Sequence, residues 1–169
     1  GAMALAQVNK LDKIAGSMRE SKWTIRKALG GIKGLEFRNI VDPEGDSGPF
    51  LIFKFSDKDI CNRFMAALKA EGIRGPEGSL ACLQMEEWGL HWHFNNPSLV
   101  QKRSNSNSGF PWSIEANKFA SDYDYSRGTL PQCDNYASKC GLLTIASCLT
   151  EKDREDIITA FKKVASHLL

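Results

Sequence analysis

The sequence predicts an α+β fold, a small and mostly antiparallel sheet covered by a long N-terminal helix, a central helix and a C-terminal helix. Three observations carry that prediction. Apolar residues between Leu5 and Leu29 recur at alternating spacings of three and four, which a helix gathers onto one face. The short apolar run Phe50-Leu51-Ile52-Phe53-Lys54-Phe55 reads as a strand. Thr150-Glu151-Lys152-Asp153 opens a third periodic segment with the pattern of a helix cap.

Each element follows in order. Val8, Leu11, Ala15, Met18, Ile25 and Leu29 form the seam of the first helix, with Lys22 as its one polar interruption, and Gly30-Gly31 ends it. Leu35-Glu36-Phe37 and Phe50 to Phe55 are expected to pair as an antiparallel hairpin across the turn-rich stretch from Asp42 to Gly48. Ser56 is placed to cap a helix that carries Ile60, Phe64, Ala67 and Leu68 and ends near Glu71-Gly72. Ser79 to Met85 and Leu90 to Phe94 read as two further extended segments.

Residues 101–109 contain no apolar side chain and are expected to form a flexible, solvated loop. Ser113 can cap a short helix through Phe119, and Pro131 suits the first turn of another because its missing amide hydrogen costs nothing there. Leu142 to Ala146 reads as a final strand. The last helix carries Ile157, Ile158, Phe161, Val164, Ala165 and Leu168, with acidic residues early and Lys162-Lys163 late, as the helix dipole favours.

The chain of 169 residues is 42% hydrophobic and 25% charged, enough apolar surface for one domain with a core, expected over residues 4–169. Residues 1–3, Gly-Ala-Met, resemble the remnant of a cleaved purification tag. With 22 basic and 20 acidic residues the net charge is only +2, so no overall field draws in nucleic acid or an anionic membrane. No apolar run approaches the roughly 20 residues that span a bilayer. The five cysteines are scattered without a C-x-x-C pair, which points to reduced thiols in a cytoplasmic protein.

Trp88-Gly89-Leu90-His91-Trp92-His93-Phe94-Asn95-Asn96-Pro97 is the most unusual stretch. In an extended segment His91 and His93 share one face and Trp92 and Phe94 the other. Two such imidazoles can share a metal ion, but no Cys or His stands at a supporting spacing, and ordinary polar-face histidines are the plain alternative. The aromatic and basic mix of Lys102, Arg103, Trp112, Tyr123 and Tyr125 can stack a base or a sugar ring, or simply close a loop over the core; Arg103 and Arg127 are the residues there that could pair with an anionic group. A pairing of Cys82 with His91 has no base-orienting third group in view. Lys54 and Lys58 read as surface residues.

Several segments, in this order, resemble the C-terminal part of DegT-type (DegT/DnrJ/StrS) sugar aminotransferases. Leu11-Asp12-Lys13-Ile14 with Met18-Arg19 resembles the helix that links the family's large and small domains. Phe50 to Phe55 takes the place of its central small-domain strand, and Leu68 with Gly72-Ile73 matches "L-x-x-x-G-I". Leu130-Pro131-Gln132-Cys133-Asp134 and Leu149 to Ile158 resemble "P-x-(acidic)" and "L-T-x-x-D-x-x-x-I-I". The resemblance runs from about Leu5 to Leu169.

It implies a small domain of fold type I from an enzyme that uses pyridoxal phosphate to move an amino group from an amino acid, such as glutamate or glutamine, to a keto-sugar, commonly a nucleotide-linked one. It implies that the cofactor-anchoring lysine lies in a large domain of the same polypeptide, upstream of these residues. On that reading this chain alone binds no cofactor, contributes no catalytic residue and is inactive, and the parent enzyme is a homodimer. The family's aromatic loop with a "His-Tyr" pair falls near His91, Trp92 and His93, which become the expected substrate contacts; the family's second His after the proline is missing here. A standalone α+β module that holds a ligand or protein partner through His91 to Asn96 and Trp112 to Tyr125, without catalysis, is the alternative.

Overall fold

The computed structural model describes the backbone of residues 1–169 and the side chains of all but Leu90 and Ser121. The chain divides into two compact units, residues 1–85 with 139–169, and residues 86–138.

The first unit is built on four antiparallel strands: β1 (Glu36–Phe37), β2 (Phe50–Lys54), β3 (Cys82–Gln84) and β4 (Cys140–Thr144). Their order across the sheet is β1-β2-β4-β3. Phe53 lies opposite Phe37 and Gly141, and Leu142 lies between Ile52 and Leu83. The expected hairpin of the first two strands is present.

Because side chains alternate along a strand, Leu51, Phe53 and Phe55 point to one face. There they join Leu143, Ile145 and Cys82 in a single core with Ile25 and Leu29, Phe64 and Leu68, and Phe161 and Val164. Those last three pairs come from α2 (Leu11–Leu29), α3 (Lys58–Ala70) and α7 (Glu151–Leu168), the three helices expected to cover the sheet. Phe53, Phe55, Phe64 and Phe161 make the centre, with Phe53 edge-on to Phe55 and Phe161 at 5.8 and 5.3 Å. Ile52, Leu83 and Leu142, on the other face, are buried as well, which is why these strands read as continuous apolar runs. The architecture is α+β.

Gly141 is dictated by packing. A Cβ there would strike the Phe53 ring and come within 2.6 Å of Met65 Sδ, so only a missing side chain lets that ring lie across β4.

Local chemistry differs from the sequence expectation in two places. The first helix is split: α1 (Ala2–Val8) and α2 are separated at Asn9-Lys10, and the seam is buried only from Lys22 onward, with Met18 partly buried and Val8 and Leu11 exposed. The cap of α3 is Asp57, whose Oδ1 accepts from Ile60 N at 2.8 Å, while Ser56 donates to the Asp57 carboxylate. A carboxylate outcompetes a hydroxyl there because it also complements the positive end of the helix dipole. The capping box on α7 is present as expected, with Asp153 N donating to Thr150 Oγ1 at 3.2 Å and Thr150 N to Asp153 Oδ2 at 2.8 Å.

Lys22, the polar interruption of the seam, is 1% exposed and pairs with Asp46 at 2.7 Å. Arg19 Nε donates to the Asp46 carbonyl at 2.7 Å, and Gly48, at φ +84°, packs so close to the α2 backbone that a Cβ would meet Met18 C at 2.5 Å. The loop between β1 and β2 is thus strapped to α2 by charge at Asp46 and by close approach at Gly48. Among the described residues, no helix is long and apolar enough to cross a membrane.

Candidate functional site

The second unit, residues 86–138, holds the histidine-rich stretch. It contains α4 (Pro97–Val100), α5 (Lys118–Ser121) and α6 (Pro131–Ser138), linked by irregular chain. Pro131 opens α6, as its ring geometry favours. Ser113 does not cap the short helical segment after it: its Oγ donates back to Ser108 O at 2.5 Å, and Ile114 stands at the cap position instead.

Leu90 to Phe94 is not a strand. It forms two 3-10 turns, Gly89–His91 and His93–Asn95, with extended Trp92 between them. Gly89 at φ +47° starts the first turn, Asn95 Nδ2 donates to Gly89 O at 3.0 Å, and Asn96 Oδ1 accepts from Ser98 N to cap α4 before Pro97. These side-chain to backbone bonds offer the chain an alternative to a ladder, which the aromatic composition of the run conceals.

The turns overturn the expected two-faced arrangement. His91 stacks on Trp88, centroids 4.1 Å apart at 14°, with its Nδ1 3.1 Å from Trp88 O. Trp92 and Phe94 lie nearly parallel, 6.2 Å apart at 4°, and His93 meets Phe94 edge-on at 5.1 Å. The two imidazoles are therefore engaged by different neighbours. No group of three His, Cys, Asp or Glu side chains stands together as a metal site among the described residues.

Two partners of this stretch come from the far end of the unit. The Arg127 guanidinium sits 4.0 Å from the Phe94 ring centroid and pairs with Glu86 at 2.9 Å, its side chain still half exposed. His93 Nε2 lies 4.0 Å from Asp134 Oδ1, and the other Asp134 oxygen accepts from Gly128 N at 2.6 Å. His93 Nε2 and Asp134 Oδ1 are both shut off from solvent without a hydrogen-bond partner. Sequence reading passed over Asp134 in this role; the only signal was an acidic residue in the first turn of a proline-started helix.

The aromatic and basic residues farther on pack mainly on one another. Trp112 is edge-on to Tyr125 at 6.1 Å and Phe119 to Tyr123 at 6.2 Å, while Trp112 Nε1 donates to Arg103 O at 3.4 Å and Arg103 to Gln101 Oε1 at 2.7 Å. Ser126 donates through N and Oγ to Asp124, which holds that carboxyl below its ordinary value. Residues 101–109 form an irregular loop in which Ser104 Oγ donates to Phe110 O at 2.5 Å.

In the first unit, burial pushes the Cys82 thiol up to about 11, with the nearby Lys69 charge acting weakly the other way. Cys82 therefore stays protonated near neutrality and is no nucleophile. Lys54 pairs with Glu36 at 2.8 Å, and Lys58 is exposed at the start of α3, as expected of surface residues.

No family model matches the sequence. Solved structures do match the fold. The aminotransferase TlmJ from Streptoalloteichus hindustanus is similar with a TM-score of 0.63 at 15% identity, over 96% of this chain and 35% of its own. S. venezuelae DesV gives 0.63 at 16%, over 97% and 35%. Spr1654, a candidate sugar aminotransferase from Streptococcus pneumoniae in its PMP form, gives 0.60 at 15%, over 98% and 34%. The chain spans about a third of the length of the structures it matches. Nearly every residue of the chain thus takes part in a fold that makes up about one third of each of these structures.

Proposed function

We propose that this chain is the C-terminal, small domain of a pyridoxal-phosphate-dependent aminotransferase that moves an amino group from an amino acid to a keto-sugar, commonly a nucleotide-linked one. The single observation that supports it most is the asymmetry of coverage: 96–98% of this chain against 34–35% of its aminotransferase neighbours. The order of the sequence motifs supports the C-terminal placing.

The chain's own lysines do not suit the anchoring role. A lysine that condenses with a carbonyl has to be neutral and accessible. Lys22, the only fully buried lysine among the described residues, is closed to solvent and engaged by Asp46 at 2.7 Å, so it is not accessible to a carbonyl. On this proposal the cofactor is held by a large domain elsewhere in the same polypeptide, within a homodimer. Pyridoxal phosphate, when bound there, supplies the carbonyl that takes up and returns the amino group.

What this chain contributes is the wall beside the sugar. His91 and His93 offer hydrogen-bonding edges, Trp92 offers an apolar ring for the face of a sugar, and Arg127 offers a half-exposed cation for a phosphate of a nucleotide-linked substrate, in competition with Glu86. Together these groups bind and orient; none of them has to move a proton.

The test compares the full reading frame with this chain alone, assaying glutamate-dependent amination of keto-sugars. The full-length protein is expected to be active and the chain inactive. Treatment of the chain with pyridoxal phosphate and borohydride is expected to label no single lysine stoichiometrically. A reading frame with no lysine-bearing domain ahead of these residues, or one specific lysine labelled here, sinks the proposal.

A further inference from the structure

We propose that Asp134 is a positioning residue: it holds the His93 imidazole with its proton on Nε2 and so leaves the Nδ1 lone pair as a hydrogen-bond acceptor for a hydroxyl of the substrate. The second half of this rests on the assignment of His93 to the sugar-binding wall. The first half stands on geometry alone.

Asp134 is fixed at one oxygen, where it accepts from Gly128 N at 2.6 Å, and lies in the first turn of α6. Its other oxygen, Oδ1, faces His93 Nε2 across 4.0 Å. Both atoms are closed to solvent and neither has another partner. A carboxylate oxygen can only accept, so a hydrogen bond between the two forms only where the imidazole nitrogen donates, that is, where it carries the proton. A shift of about 1 Å brings the two atoms to the usual N–H to oxygen distance. The Phe94 edge at 5.1 Å limits rotation of the His93 ring, and Arg127 above Phe94 limits Phe94 in turn.

The arrangement is a carboxylate that sets the tautomer of an imidazole, the device by which proteins decide which ring nitrogen meets a ligand. Nδ1 of His93 makes no hydrogen bond within the described structure and is the nitrogen so presented. An acceptor there suits a polyhydroxylated molecule, which has many O–H donors.

The chain has only three histidines, so ¹⁵N-resolved NMR of the imidazoles distinguishes them, with His93→Gln identifying the signal. At alkaline pH, where ordinary imidazoles are neutral, His93 is expected to carry its proton on Nε2 in roughly tenfold excess, the ratio that one net hydrogen bond supports. Its Nε2 proton is expected to exchange slowly with water. In Asp134→Asn the amide can donate instead, and the excess is expected to invert or collapse while the backbone amide spectrum is kept. The wild-type Nε2 proton decides the matter even where that variant fails to fold: fast exchange, a proton on Nδ1, or an unchanged ratio in a folded Asp134→Asn overturns the proposal. None of these readouts requires cofactor or amino transfer. The aminotransferase reading can therefore fail while the His93–Asp134 couple stands, and the reverse.

Discussion

Replacing Asp46 by alanine removes the counterion of a lysine that lies in the buried face of α2. The ammonium of Lys22 has a side chain 2% exposed, and the carboxylate 2.7 Å away is 9% exposed, so water cannot substitute for either partner without opening the strap. Removal of one member of such a pair costs about 3–5 kcal/mol, because the other is left charged in a dry setting. Urea denaturation measures it: with a slope of roughly 2 kcal/mol per molar, the midpoint is expected to fall by about 1.5–2.5 M. Lys22→Met with Asp46→Leu is expected to recover most of that loss, since the pair removed together leaves no orphan charge. The pH dependence has a definite sign. Burial by itself would raise the Asp46 carboxyl, but hydrogen bonds from Lys22 and Gly48 N and the charges of Lys22 and Arg38 outweigh it and hold the group below its ordinary 3.8. Stability from this group is therefore complete above about pH 4 and is lost as pH falls through the lower folded value. An Asp46→Ala loss below 1 kcal/mol, or an acid limb identical in wild type and variant, refutes the reasoning.

Three further perturbations follow from the fold. Gly141→Ala forces a methyl against Phe53 and Met65 and is expected to cost about 1–3 kcal/mol, read as a Tm lowered by roughly 3–10 °C. Thr150→Ala removes half of the capping box on α7 and is expected to cost about 1 kcal/mol by chemical denaturation, with the helix otherwise intact by circular dichroism. With a thiol reagent at pH 8, exposed Cys148 is expected to react first and Cys82 only after denaturant is added, since burial holds its thiol near 11.

How much of this was legible follows from the range of the interactions involved. The box on α7 joins Thr150 to Asp153, three residues apart, and the letters alone show it. Phe50 to Phe55 is nearly as plain, because a run apolar on both faces with turn residues before it has few other uses. The histidine stretch misled for a physical reason: Trp and Phe favour strands on average, but Gly89, Asn95 and Asn96 supply local bonds that stabilise turns instead. Lys22 stood out in its seam, yet its partner lies in a loop of turn residues where any of several acidic groups was equally eligible. The couple of His93 and Asp134 spans the whole second unit, and nothing local to either residue announces the other. Arg127 was noticed as a cation; that it would lie over Phe94 was not readable.

The strand order has a consequence for the way the chain is made. β4 is an inner strand of the sheet, yet it leaves the ribosome last of the four. Until residues 140–144 emerge, one edge of β2 has no neighbour to bond with, and β3 has none at all. At ordinary elongation rates that interval lasts roughly 5–15 s. An unpaired edge bearing Leu51, Ile52 and Phe53 is the kind of surface to which other chains add strands. The nascent protein thus meets its greatest hazard of misassembly between the synthesis of its second strand and its fourth, when a chaperone that shields extended apolar segments has most to do.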